Sequence, residues 1–352
     1  MTMPMLHRYI LPQYGTFFYP PMQVSKGTRG RRRLERRLKD SLRTDLAARP
    51  NRVLGIGTNI AADEVQGYYI DFRSKTESPA WPPPWFPWPG YHRFMAVAQW
   101  GLGAYERYLM GEGQEWLGAA VHAGEFLVSE QEGQGSLAGG WFEPHDSHTF
   151  HLRGPWLSAM TQGQCASLLV RLCRETKSKR FAEAALQALT PMGVPTTEGG
   201  VRTVLAGGPF LEEYPTAPPS FVLNGAIFAL WGYFDVGRGL DDDEARAESV
   251  VLTDTLARNL HRWDTGYWSR YDLYPHPTRN VASLFYHVLH TNQLRAMTKV
   301  SPEAEFAETA SRFERYAGSR VNRARALAEK AVFRLLVPRR SRWPTLTRLR
   351  RR

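Results

Sequence analysis

From Phe94 onward, apolar residues recur every three or four positions in blocks separated by Gly, Pro and acidic residues. The blocks fall into pairs: 94–110 with 113–130, 155–175 with 178–189, 219–236 with 242–262, and 279–298 with 302–317. Their ends carry helix signals. Ser178 suits an N-cap and Pro191 a stop, Asp241–Glu244 suit the positive end of a helix, and Ser301–Pro302 suit a cap and first turn. Helix pairs in series predict a mainly α fold, an (α/α) helix-pair toroid or barrel with its cleft at one end and short β hairpins near it. Ahead of them, 51–80 alternates polar and apolar residues (Tyr68, Ile70, Phe72), as a short hairpin would. Two basic amphipathic helices flank the set. One covers 30–48 with Leu34, Leu38 and Leu42 in a stripe, and the other covers 319–336 with Leu327, Ala331 and Leu335 on one side. The division expected is therefore an arm and basic helix at 1–50, a helical domain at 51–318, and a basic helix and tail at 319–352.

Charge sharpens that division. The chain of 352 residues has a net charge of +11, but 28–50 carries nine basic residues against three acids and 319–352 carries twelve against one. The middle, 51–318, holds 22 basic against 30 acidic residues. Any attraction to an anionic polymer or membrane surface thus belongs to the flanks. No RNA- or DNA-binding signature accompanies the basic residues, so nucleic acid is not an expected partner. Cys165 and Cys173 lie eight apart on one helix, about 12 Å along its axis, too far for a disulfide within it. No run of 18 apolar residues occurs, and the first residues lack the apolar core of a signal peptide. The chain reads as cytoplasmic, with room for peripheral contact with an anionic membrane through its basic flanks and for pairing as a homodimer.

Candidate chemistry gathers between the helix pairs. In Leu211–Gly225 (LEEYPTAPPSFVLNG), Glu212, Glu213 and Tyr214 sit on a loop stiffened by Pro215, Pro218 and Pro219. A plain Pro-rich turn whose acids cap the next helix fits the same residues. The run WPPPWFPWPGY, Trp81 to Tyr91, presents flat rings such as Trp88 and Tyr91, which either stack on sugars or form a packed aromatic belt. GPWLSAMTQGQ (154–164) places Gln162 and Gln164 at a helix start. FYHVLHTNQL (285–294) puts Tyr286, His290 and Gln293 on one helix face, with Asn292 beside them. His145, His148 and His151, three apart, point to alternating faces of a strand and argue against a metal site.

The strings EEYPTAPPSFVLNG, GPWLSAMTQGQ, YDL and YHVLHTNQL resemble the C-terminal catalytic domain of the D-glucuronyl C5-epimerases of heparan sulfate and heparin biosynthesis. PGYHRFMAVAQWGLGAYERYL (89–109) is similar to the segment preceding it, so the resemblance runs from about 85 to 300. It implies inversion of C5 in glucuronate residues of a polymer, with no redox cofactor, and an anionic uronate-containing polysaccharide as partner. By motif it assigns catalysis to Glu213, Tyr214, Tyr271 and Tyr286, with Asn224 in the SFVLNG string nearby. The family's YDL is followed by an arginine that holds the substrate carboxylate. Here that position is Tyr274, and Arg270 and Arg279 are the nearby substitutes.

The residue types suit that chemistry. Removing a proton α to a carboxylate adds charge to an anion, so a cation or strong donors must neutralise it. Inversion then needs a base on one ring face and an acid on the other, which phenols and a carboxylate from separate loops can supply. The same residues would serve a β-eliminating polysaccharide lyase, and a glycan-binding module could keep the cleft without the chemistry. A glycoside hydrolase needs carboxylates facing each other across a bond, which the adjacent Glu212 and Glu213 cannot do.

Overall fold

A computed structural model describes residues 54–61, 63–83 and 93–337. It contains two helical layers. The inner one consists of α1 (Arg93–Leu109), α3 (Ala159–Thr176), α6 (Leu223–Gly239) and α8 (Leu284–Met297). Each is followed by an outer partner: α2 (Gln114–Ser129), α4 (Lys179–Gln187), α7 (Asp243–Asn259) and α9 (Ala304–Gly318). A one-turn helix, α5 (Thr190–Gly193), follows α4. Sequence explains the layering. Every residue of α3 from Ala159 to Leu172, and of α6 from Leu223 to Gly237, is buried, because most are apolar or small on every face and the polar exceptions, such as Gln162 and the Arg171–Asp235 pair, meet partners inside the fold. Outer helices bury one stripe, as in Phe181, Ala184 and Ala185 of α4, or Phe306, Thr309, Ala310 and Phe313 of α9.

Cross-contacts show that the inner helices run parallel. Between α1 and α3, Gln99 donates to Gln164 at 3.1 Å, and farther along Tyr105 donates to Glu175 at 2.8 Å. Between α3 and α6, a Cβ on Gly163 would lie 2.5 Å from the Phe228 carbonyl oxygen, so glycine is what lets the two backbones meet. One turn-set later Arg171 pairs with Asp235 at 2.6 Å. Between α6 and α8, Gln293 donates to the Asn224 carbonyl at 3.0 Å, and Trp231 Nε1 lies 3.1 Å from the Met297 sulfur. The N-termini of α3, α6 and α8 therefore share one end of the layer. The helix-pair toroid expected from the sequence is this arrangement.

Two antiparallel hairpins lie among the helices: β1 (Phe142–Glu143) with β2 (Trp156–Leu157), and β3 (Arg202–Leu205) with β4 (Gly208–Leu211). The second went unread because Pro209 and two glycines interrupt its pattern. Its turn at Ala206–Gly207 has φ of 48° and 86°, which matches the twist of a two-residue hairpin. Residues 54–71 double back as anticipated, with Gly57 N donating to Tyr69 O at 3.0 Å and Asp71 N to Gly55 O at 2.9 Å.

Several boundaries differ from the sequence reading. Helix α3 begins at Ala159 rather than 155 because Trp156 and Leu157 pair with β1. Helix α6 begins at Leu223 because Pro218, Pro219 and a left-handed Phe221 (φ 49°) precede it. Helix α8 begins at Leu284, since 280–282 is bonded to 269–271. The cap of α9 is at Glu303, two residues past Ser301. The last helix, α10 (Arg320–Leu336), docks by a different face from the one expected. Ala326, Phe333 and Arg334 are buried, whereas Leu335 is 46% exposed and Leu327 and Ala331 are half-buried. One alanine, one phenylalanine and a buried arginine make the contact, a face that hydrophobicity counting does not detect. The arm and basic helix at 1–50, the tail from 338, and Trp88 and Tyr91 lie outside the described residues. No described helix is long and apolar enough to cross a membrane.

Candidate active site

Three loops meet at the shared N-terminal end, where Phe150, Val222, Tyr267, Trp268, Tyr271, Val281, Ala282 and Ala326 form a small core beside the main one. The Glu212–Val222 loop is built around the fully buried Glu212. Its carboxylate accepts from Ser220 N and Phe221 N at 3.1 Å and from the Ser220 hydroxyl. Burial pushes its pKa up to about 7 against the pull of those donors. Glu212 is thus the loop's internal anchor, and its neighbour Glu213 faces the site.

Backbone bonds bring the second loop alongside. Leu273 N donates to Ser220 O at 3.0 Å and Leu223 N to Tyr271 O at 3.2 Å. Tyr271 N donates in turn to Asn280 O at 2.8 Å and Ala282 N to Ser269 O at 2.9 Å, which leads directly into α8 and Tyr286. Ser283 caps that helix on Tyr286 N. Segments 58 residues apart in sequence are thereby joined.

The result is a compact acid–phenol cluster. The Tyr271 hydroxyl lies 3.4 Å from Glu213 Oε1, and the Tyr286 ring meets the Tyr271 ring edge-on with centroids 4.8 Å apart. Asn224 Nδ2 is 3.4 Å from Glu213 Oε2, on the first turn of α6. A Cβ on Gly225 would come within 2.4 Å of that oxygen, so glycine there admits the carboxylate to the positive end of the helix. Tyr214 stacks on Phe150 at 4.4 Å and leans on Trp156 at 5.3 Å. Burial first, then the Glu213 charge and the Tyr214 and Tyr286 phenols, hold the Tyr271 pKa well above its ordinary value. Tyr271 is a proton-carrying phenol at neutral pH.

Beneath the cluster, a histidine pair is set by Ser269. His287 stacks on Trp268 at 3.7 Å and makes a 2.9 Å bond to the Phe313 carbonyl, so its Nε2 carries the proton. Its Nδ1 accepts from Ser269 N at 3.1 Å and from the Ser269 hydroxyl at 2.8 Å. That leaves the hydroxyl oxygen to accept from His290 Nδ1 at 3.0 Å, and His290 Nε2 as a bare acceptor. Burial lowers the His287 pKa to about 4 and holds His290 well below the usual range.

The structure therefore unites Glu213, Tyr214, Tyr271, Tyr286, Asn224 and His290, but not every residue named from sequence. Gln162 is a strut, accepting from Trp141 N at 2.8 Å and donating to Gly139 O and Ala188 O. Gln164 turns toward α1 and Gln99. Asn292 donates to Leu54 O at 2.8 Å, on the far side of α8. Arg279 is exposed, and strand alternation sends Arg270 to the face opposite Tyr271, beside Asp272 and Arg279. At the position of the family's arginine, Tyr274 lies edge-on to Phe150 at 5.6 Å. Sequence reasoning missed Phe150, Trp156, Ser269 and Asn280. Trp156 alone had a signal, its place in the GPWLSAM string.

The chain is 31% identical over 215 residues to the D-glucuronyl C5-epimerase of Caenorhabditis elegans, covering 55% of this chain and 34% of that one. It thus spans about a third of the relative's length. Among solved structures, cellobiose 2-epimerase from Spirochaeta thermophila superposes with a TM-score of 0.45 at 14% identity, over 68% of this chain and 70% of that one. Residues 138–315, half of the chain and all the residues of the acid–phenol cluster, match the family model described as D-glucuronyl C5-epimerase C-terminus, and the chain belongs to that family.

Proposed function

We propose that this protein inverts C5 of D-glucuronate residues within a polysaccharide, giving L-iduronate. The observation that carries the reading is the contact of the Tyr271 hydroxyl with the Glu213 carboxylate, with Tyr286 against the same phenol. Glu213 supplies a base beside Tyr271, a phenol that retains its proton. The Glu213 carboxylate, beside the Tyr271 hydroxyl, takes the C5 proton, and the bonding electrons pass into the substrate carboxylate. A phenol from another segment, Tyr214 or Tyr286, gives its proton to the opposite face, after which the glutamic acid and the phenolate are restored by proton exchange with solvent. The net change is stereochemical, with no bond to a neighbouring sugar broken. Aromatic walls at Phe150 and Trp156 suit a sugar ring.

Incubation with heparosan in deuterated water tests this. Deuterium should enter C5 and iduronate signals should appear at constant chain length. Tyr271→Phe keeps the ring and removes the hydroxyl, and should lower exchange by about 10²–10⁴-fold with binding largely retained. Chain shortening with an ultraviolet-absorbing unsaturated uronate would instead mean elimination and would overturn the reading.

A further inference from the structure

An enolate-like intermediate at C5 is stabilised by a cation or strong donors at the substrate carboxylate, yet the buried charged residues of the loops that build the cluster are the acids Glu212, Glu213 and Asp272. Strand alternation puts Arg270 on the face opposite Tyr271, Arg279 is exposed, and position 274 is aromatic. A cation does reach the cluster, from α10. The Lys330 ammonium lies 5.6 Å from the centre of the Tyr271 ring, donating to Asn280 Oδ1 at 2.6 Å and to Val281 O at 2.9 Å. Its charge also acts on His290. Asn280 is held by the buried Asp272, so the 272–281 loop aims the lysine. The helix itself is docked on the site loops. Tyr267 donates to Glu329, the Arg325 guanidinium covers the Tyr267 ring at 3.7 Å, and Phe333 meets His276 at 4.9 Å. One turn beyond Lys330, the buried Arg334 lies 3.4 Å from the hydroxyl of Thr149, next to Phe150 and hence the Tyr214 ring.

We propose that α10 is part of the active site and that Lys330 holds the carboxylate of the reacting uronate, with Arg334 as a second cation on the same helix face. The inference rests on the epimerase reading. It adds a residue from outside the family match, which ends at 315. The basic character of this helix, which resembles a surface-docking flank in the sequence, then serves the substrate directly.

Heparosan and its carboxyl-reduced, uncharged counterpart separate the roles. Wild-type protein should bind the native polymer more tightly. Lys330→Met should reduce that preference about tenfold, leave affinity for the reduced polymer unchanged, and lower C5 exchange on the order of 10²-fold. Lys330→Arg, which keeps the charge, should recover part of both. A lysine that merely clamps the loop would, on replacement by Met, weaken both polymers equally and lower Tm, and that result would overturn the proposal. So would wild-type exchange and preference in Lys330→Met. If wild-type protein exchanged no deuterium with any glucuronate polymer, the epimerase reading would fall, while the binding preference would still decide the role of Lys330.

Discussion

The two ends of the inner helices are built differently, one around a satisfied charge pair and the other around uncharged polar groups. At the C-terminal end, Arg171 and Asp235 are both buried and saturated. Arg171 donates to Asp235, Ser167 O, Gln66 O and Gly67 O, and Asp235 also accepts from Tyr69 at 2.9 Å. At the N-terminal end, Asn224 Oδ1, Gln293 Oε1 and His290 Nε2 are buried and make no hydrogen bond among the described residues. Satisfied charge ties the 54–71 segment over one end and closes it. Open acceptors at the other are what the hydroxyls of a polyhydroxylated ring would complete. The same four helices therefore give rigidity at one end and a site at the other, and stability and turnover should respond to different residues.

Breaking the closed end should have the largest effect on stability. Asp235→Asn leaves the Arg171 guanidinium buried without its counter-ion and should cost about 3–5 kcal/mol, seen as a fall in the urea midpoint. Deuterium exchange by the fraction still folded should remain near wild type. A collapse of exchange at unchanged stability would show that the two ends are not separate.

A pH series sharpens the contrast within the site end. The Glu212 pKa is raised, so its stabilising protonated form persists below the unfolded value, and its contribution is lost as pH rises through about 7. The His287 pKa is depressed to about 4, so its contribution is lost as pH falls from its ordinary value toward 4. Each amounts to about 3 kcal/mol, with opposite slopes between pH 4.5 and 6.5, and the depressed His290 adds to the slope of His287. Glu212→Gln removes the one opposing slope. Its stability should then drop more steeply than that of wild type on acidification from 6.5 to 4, by about 3 kcal/mol or more, measured by denaturant unfolding at each pH. A profile parallel to wild type would refute this account of the two groups.

A single methyl beside the candidate base should cost activity as well as stability. Gly225→Ala favours the helix by up to about 1 kcal/mol, yet its methyl would meet the Glu213 carboxylate at 2.4 Å and the Glu213 Cβ at 2.5 Å. Tm should fall as the loop shifts to make room, while exchange by the folded protein falls on the order of 10²-fold. Unimpaired exchange would remove Glu213 from the chemistry.

Local chemistry alone determined the helical blocks, since apolar spacing, caps and prolines act within a few residues. The stiffness of the Glu212–Val222 loop and the common face of Tyr286, His290 and Gln293 were legible for the same reason. Similarity of short strings carried Glu213, Tyr214, Tyr271 and Tyr286. What separates a strut from a site residue was not legible. Gln162 and His290 look alike as polar residues in apolar helices, and only the surrounding backbone decides that one is saturated and the other keeps a bare nitrogen. Glu212 and Glu213 are adjacent and chemically identical, and the partners each meets across the fold make one an anchor and turn the other toward the Tyr271 hydroxyl. Lys330 is the extreme case. In the chain it is one basic residue among many, 59 positions beyond Tyr271. Docking of α10 through Ala326 and Phe333 brings its charge to the phenol, because an ammonium on a flexible stem takes its role from what the fold places within reach.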